Sequence, residues 1–209
     1  MTRARAFINA TYAAGREFLR PAQASCESGA AVSSAVVPIR SVGRGHSARI
    51  SQHLLQLSPG DRYLRFGYAA NDEHITRYIE GLNFERDEIY GIFNRNLDIV
   101  AMAHLALMQT PGRPSSAEFG VSVLAYARGR GYGARLFERA VMHARNEKVS
   151  YIYIHALSEN APMIRIARKS GATLEREGSE TEAYLRLPKR DLDSRVTELV
   201  VDQYAKANY

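Results

Sequence analysis

The chain has 209 residues, 45% of them hydrophobic, which is enough to bury one full core with extensions at its ends. Its net charge of +6 suits an anionic ligand without establishing nucleic-acid binding. Cys26 is the only cysteine, excluding an internal disulfide and a cysteine-based metal site, and no apolar run approaches the ~18–20 residues that span a bilayer.

Much of the basicity lies in the first 50 residues, where seven arginines face only Glu17 and Glu27. This leader lacks the apolar segment of a secretory signal. Its arginine-rich, acid-poor composition is shared with organellar transit peptides, but a disordered or partly helical extension is preferred, in a soluble cytoplasmic protein. Residues 21–35 are small and polar and read as a linker. The organisation expected is a basic leader and linker over 1–34, one domain over 35–189 and a C-terminal extension over 190–209.

Residues 35–39 suit a first strand. Ile50, Leu54 and Leu57 recur at helical spacing across 47–57, and Ser58-Pro59-Gly60-Asp61 stops that helix. Ile75, Tyr78, Ile79 and Leu82 fall at i, i+3, i+4, i+7, which predicts a second helix capped by Asn71 or Asp72. Residues 88–94, 97–108 and 117–125 then read as three strands without intervening helices, an antiparallel meander turning at Asn94-Arg95-Asn96 and at the Pro/Gly segment 110–114.

The meander leads into Arg128-Gly129-Arg130-Gly131-Tyr132-Gly133-Ala134, which opens an amphipathic helix with Leu136, Phe137, Ala140, Val141 and Ala144 on one face and Arg139 off it. Glycines let backbone N–H groups approach an anion, and the helix N-terminus adds favourable potential, so this turn suits a phosphorylated ligand. A strand over 149–157, a helix over 160–169 ending at Gly171, a hairpin over 173–176 and 182–187, and a terminal helix over 196–207 complete the chain.

Two ligands compete for the turn. Gly129-x-Gly131-x-x-Ala134 fits the dinucleotide fingerprint, but that reading needs βαβ alternation and an acidic residue ending the next strand; here a meander precedes the turn and His155 lies near the end of that strand. Arg128-x-x-Gly131-x-Gly133 between a strand and an amphipathic helix resembles the acetyl-CoA signature of the GNAT family of N-acetyltransferases, written Q/R-x-x-G-x-G/A. The resemblance runs from Val36 to about Leu187 and includes residues 57–66, the strand start Ala117-Glu118-Phe119, and Asn160-x-x-Met163-x-x-x-Ala167-x-Lys169-x-Gly171. The leader and linker are similar to the branch that contains bacterial protein-lysine acetyltransferases.

The resemblance implies an α/β (α+β) fold: a mixed, mainly antiparallel sheet of six to seven strands, flanked by helices and splayed between strands 4 and 5. It implies acetyl-CoA as donor. The pantetheine arm would pair with backbone at Val123, Leu124 and Ala125, the pyrophosphate would sit on the amides of Arg128, Gly129, Arg130, Gly131, Tyr132, Gly133 and Ala134, and Asn160 would hydrogen-bond the arm. The acceptor would be an amine, either a protein lysine or a small molecule, with no nucleic-acid or membrane partner expected and a homodimer left open.

Acetyl transfer needs a base, because an amine with pKa near ~10.4 must lose a proton before attacking. Glu118 is the first candidate: alternation puts it on one face with Gly120 and Ser122, and a carboxylate on an apolar strand is costly unless solvated or paired. The family comparison agrees, since a glutamate at this strand position often acts through a water. The oxyanion donor is expected from a backbone N–H near Val123 or Leu124. The family's tyrosine general acid, seven residues after the helix asparagine, is replaced by Ala167; Ser158, Tyr126, Tyr132 or a water are the substitutes. Arg62 and Arg65 line the cleft or serve as a connector between helices. His104 and His155 read as core or cleft residues, and His46 and His53 as surface residues of the first helix. No metal spacing is evident. The alternatives are a non-catalytic acyl-CoA sensor and, below it, a nucleic-acid-binding module driven by the leader.

Overall fold

A computed structural model describes residues 37–109, 111–112, 114–178, 180–189 and 192–207. The expectations for the leader and linker lie outside the described residues. The first strand, β1 (Arg40–Ser41), begins later than expected: residues 37–39 are not in a strand.

Helix α1 (Ser47–Leu55) follows a short 3-10 turn at Arg44–His46 and buries Ile50 and Leu54. Ser58-Pro59-Gly60-Asp61 both ends α1 and starts the next helix, α2 (Pro59–Phe66), where the Ser58 hydroxyl accepts from the Asp61 N–H at 3.2 Å and Pro59 occupies the first turn. Helix α3 (Asp72–Glu80) is capped by Asn71, whose side chain accepts from the His74 N–H at 2.9 Å. Arg62 ties the three helices together through the Leu55 and Leu57 carbonyls and an ion pair with Asp72 at 2.7 Å.

Three strands form the meander: β2 (Glu88–Phe93), β3 (Ile99–Met108) and β4 (Ser116–Val123). A second 3-10 turn, Ala125–Ala127, leads to α4 (Tyr132–Asn146). Then come β5 (Tyr151–Leu157), α5 (Ala161–Lys169), the hairpin β6 (Thr173–Glu177) and β7 (Glu180–Arg186), and α6 (Leu192–Ala207). The sheet order is β1-β2-β3-β4-β5-β7-β6, antiparallel throughout except for the parallel β4–β5 pair.

Alternation along β2–β4 divides the core in two. Tyr90, Ala101, Ala103, Leu105 and Phe119 pack with Leu136 and Phe137 of α4 and with Met163 and Ala167 of α5 on one face. Ile89, Met102 and Leu124 pack with Ile50, Leu54 and Ile75 of α1 and α3 on the other.

Arg139 departs from its sequence reading. It is 4% exposed, because α6 lies along α4 and supplies Glu198 at 2.8 Å and Asp202 at 2.5 Å. Glu198 also accepts from His143 and Asn146 at 2.9 and 2.5 Å. Among the described residues no helix is long and apolar enough to cross a membrane.

Candidate active site

The sheet opens beside β4. β4 and β5 share only three rungs, Ser116–Tyr151, Ala117–Ile152 and Glu118–Tyr153, and beyond Glu118 the two strands part. The edges of β4 follow from its other bonds. The Leu124 N–H donates to Val100 across β3, so even-numbered residues bond β3 and odd-numbered ones face β5; Ser115 fits, its carbonyl accepting from the Ser150 N–H at 2.8 Å. Val121 and Val123 therefore aim their N–H and C=O groups into the opening. Exposed strand edge of this kind pairs with an amide-bearing ligand.

At the far end of the opening is the glycine turn. Gly129 and Gly131 take φ of +76° and +75°, a region that disfavours residues with a Cβ, and Gly131 is the N-cap of α4 with no side-chain cap bond. The first-turn amides of Tyr132, Gly133 and Ala134 thus lack an intrahelical acceptor and point out of the helix end. Gly133 serves packing: a Cβ there would lie 3.2 Å from the Ile166 Cδ1 of α5. Arg130 is exposed beside the turn.

Arg128 bridges cradle and opening, its Nε donating to the Val123 carbonyl at 3.3 Å while its guanidinium pairs with Asp61. Burial of Asp61 is outweighed by the Ser58 hydroxyl and by Arg128, which hold its carboxyl below the usual range. Asn160 is the N-cap of α5; its Oδ1 accepts from the Met163 N–H at 3.2 Å and its Nδ2 donates to the Leu64 carbonyl at 3.3 Å, tying the end of α2 to the cleft.

Glu118 is exposed on the last β4 rung before the strands part. Gly120 and Ser122 share its face, as alternation requires. Against Gly120 lies the Arg65 guanidinium, and against Ser122 lies His53. Arg65 starts a directional chain of bonds. Its Nη2 donates to the Tyr78 hydroxyl at 3.0 Å, Tyr78 donates to His104 Nδ1 at 2.8 Å, and His104 Nε2 donates to Asp87 at 3.2 Å. The direction follows from Asp87, which only accepts and so fixes the tautomer of a neutral His104. Burial and the Arg65 charge lower the His104 pKa against the pull of Asp87, and burial raises that of Tyr78. Asp87, despite its burial, is held low by Arg86 and His104.

Placement of His53 corrects the surface reading: it is 1% exposed. Its Nδ1–H donates to the Ile99 carbonyl at 2.9 Å and its Nε2 accepts from the Ser122 hydroxyl at 2.8 Å. Burial, aided by the Arg65 charge and opposed by the Ile99 bond, brings its pKa down to about 4. Its position three residues after Ile50 on α1 was the available signal. Arg65 and Arg62 separate cleanly: Arg62 is the connector and Arg65 lies against Gly120 of β4.

Ala167 is buried in the core against α4, so the absence of the family's tyrosine there leaves no polar group behind. Of the substitutes, Ser158 contacts Thr181 and Arg176 at 3.1 Å each, Tyr126 is 62% exposed, and Tyr132 packs against the core. Among the described residues no cluster of His, Cys, Asp and Glu has the form of a metal site.

A mixed sheet that parts between its fourth and fifth strands, with a glycine turn opening a helix at the gap, is the architecture of an acetyltransferase. The model of the Acetyltransferase (GNAT) family matches residues 53–172, more than half of the sequence, and the chain belongs to that family. Its members are N-acetyltransferases whose donor is acetyl-CoA. A comparison with curated proteins finds no significant match.

Several solved structures share the fold. The GNAT domain of S. lividans PAT is 20% identical with a TM-score of 0.60, over 71% of this chain and 89% of that one. An acetyltransferase of the GNAT family from Streptococcus pneumoniae is 12% identical with a TM-score of 0.57, over 73% and 99%. Spermidine N-acetyltransferase from Vibrio cholerae, in complex with CoA and spermine, is 16% identical with a TM-score of 0.55, over 72% and 95%.

Proposed function

We propose that this chain transfers an acetyl group from acetyl-CoA to an amine by direct attack, with Glu118 as the base. The observation that carries the reading is the position of Glu118: the only exposed carboxylate of β4 stands on the rung where β4 and β5 part. Acetyl-CoA, when bound, supplies the acetyl group as a thioester. The residues present fit it. Val121 and Val123 offer backbone to the opened edge, whereas the Leu124 N–H is spent on the Val100 carbonyl and the Arg128 N–H on that of Ala125. The amides from Gly129 to Ala134 are left for an anion, with the Arg128 and Arg130 side chains beside them. Asn160 stands on the β5 side, where its Nδ2 has a second hydrogen to offer a ligand amide beyond the one given to Leu64.

In this reading Glu118 accepts the amine proton through a water, and the Val121 and Val123 N–H groups stabilise developing negative charge at the opening. Positioning supplies much of the rate, so a phenol at position 167 is dispensable. The test is thiol release from acetyl-CoA over an amine panel, with CoA-dependent thermal stabilisation in parallel. Stabilisation without turnover in both wild type and Glu118→Gln would replace the enzyme with an acyl-CoA sensor. The acceptor is a protein lysine or a small amine, and the protein acts in the cytoplasm.

A further inference from the structure

We infer that the acceptor is a small amine carrying a carboxylate close to its amino group, and that Arg65 selects it. This rests on the acetyl-transfer reading of the same cleft and adds the acceptor class. Arg65 lies in the last turn of α2 with its guanidinium flat on β4: a Cβ on Gly120 would fall 2.5 Å from its Cζ and Nη1. The strand thus lacks a side chain where the cation rests. The Tyr78 hydroxyl bonds Nη2 at 3.0 Å, and the rings of Phe66 and Tyr78 lie 5.2 and 5.6 Å from Cζ.

Among the described residues this guanidinium has no carboxylate within ion-pair distance, whereas Arg62, Arg86, Arg128 and Arg139 each pair with one. Asp87, at the end of the same chain of bonds, is occupied by Arg86, His104 and the Leu107 N–H. The Nε of Arg65 is buried without a hydrogen-bond partner, and Nη1, which rests against Gly120, makes no hydrogen bond. A half-buried cation in this state gains most from an anion, and the guanidinium fork matches a carboxylate.

Glu118 and Gly120 are two residues apart on one face, roughly 6.6 Å at ~3.3 Å per residue. A carboxylate on Arg65 therefore leaves an amine a few bonds away within reach of a water on Glu118. A protein lysine has no anionic group of its own that near its Nζ. A polyamine would bring a second ammonium towards the Arg65 cation, which like charge disfavours.

The test uses the full chain with acetyl-CoA and matched acceptors: α-amino acids, their carboxamides, spermidine and a lysine-containing peptide. Thiol release and CoA-dependent thermal stabilisation are read together. The acids are expected to exceed their amides in kcat/KM by about ten- to hundredfold. Arg65→Met is expected to bring that ratio near one, mainly through KM, with CoA stabilisation retained. Equal turnover of acids and amides, or a preference for spermidine or the peptide, overturns the assignment and leaves acetyl transfer intact. Stabilisation by CoA without turnover of any acceptor refutes the acetyl-transfer reading, and this inference with it. The wild-type comparison needs no variant, so misfolding of Arg65→Met would not shield the proposal.

Discussion

Acidification should destabilise this fold through His53, and by an amount the structure sets. The buried imidazole is held neutral between the Ile99 carbonyl and the Ser122 hydroxyl, with a pKa of about 4 against an ordinary 6.5. The folded state therefore binds the proton more weakly than the unfolded state. Stability is complete above the unfolded value, falls as pH drops from 6.5 towards 4, and levels off below. The limiting loss is about 3 kcal/mol at ~1.36 kcal/mol per pH unit, of which about 2 kcal/mol falls between pH 7 and pH 5. Urea denaturation of wild type and His53→Gln across that range isolates the effect, since glutamine does not titrate and other groups cancel in the difference. Wild type should lose about 2 kcal/mol more than the variant, or roughly 4–8 °C in Tm. Parallel pH curves for the two proteins would refute the reasoning, because His53 would then titrate alike folded and unfolded.

Glu118→Gln should lower kcat by about 10²-fold or more while leaving CoA-dependent thermal stabilisation unchanged, as read by thiol release and thermal shift. Glu198→Ala removes acceptors from Arg139, His143 and Asn146 and should cost about 3 kcal/mol in urea unfolding, since Asp202 remains beside the buried guanidinium. The His143 pKa is raised, Glu198 outweighing burial, so its share of that stability is present below 6.5 and is lost as pH rises through the folded value. The Glu198 carboxyl, lowered to about 2 by these partners against its burial, contributes above 4.5 and loses its share as pH falls through about 2. The gap between wild type and variant should therefore be widest between about pH 4.5 and 6.5. Gly131→Ala, forced to hold φ near +75°, should lose about 1–2 kcal/mol of stability and weaken CoA stabilisation together.

Local pattern made most of this fold legible in the sequence. The Asn71 cap, the meander, the glycine turn and the helix begun at Asn160 each announce themselves within a dozen residues, because caps, turns and periodicity are short-range effects. Their order sufficed to point to the acetyltransferase family. Alternation also placed Glu118, Gly120 and Ser122 on one face before any fold was seen. The Ser58–Asp61 segment stops the first helix as its sequence implies, but its second role is hidden for a local reason: a Ser-Pro-Gly-Asp run ends one helix and caps the next with the same residues.

Tertiary structure alone decided what stands on those faces. His53, Arg65 and Arg139 look like ordinary polar positions on amphipathic helices. Each is buried or half-buried because a distant element closes over it: β3 and β4 over His53, the bare Gly120 of β4 under Arg65, and α6 over Arg139. The parting of β4 from β5 is likewise invisible in either strand, since it is a difference in their pairing. Periodicity reports which way a side chain leaves its own element, whereas burial, counter-charge and pKa depend on what arrives from elsewhere in the chain. The sequence thus determined the family and its donor, and the folded contacts exposed an arginine with no ion pair among the described residues, from which the acceptor is inferred.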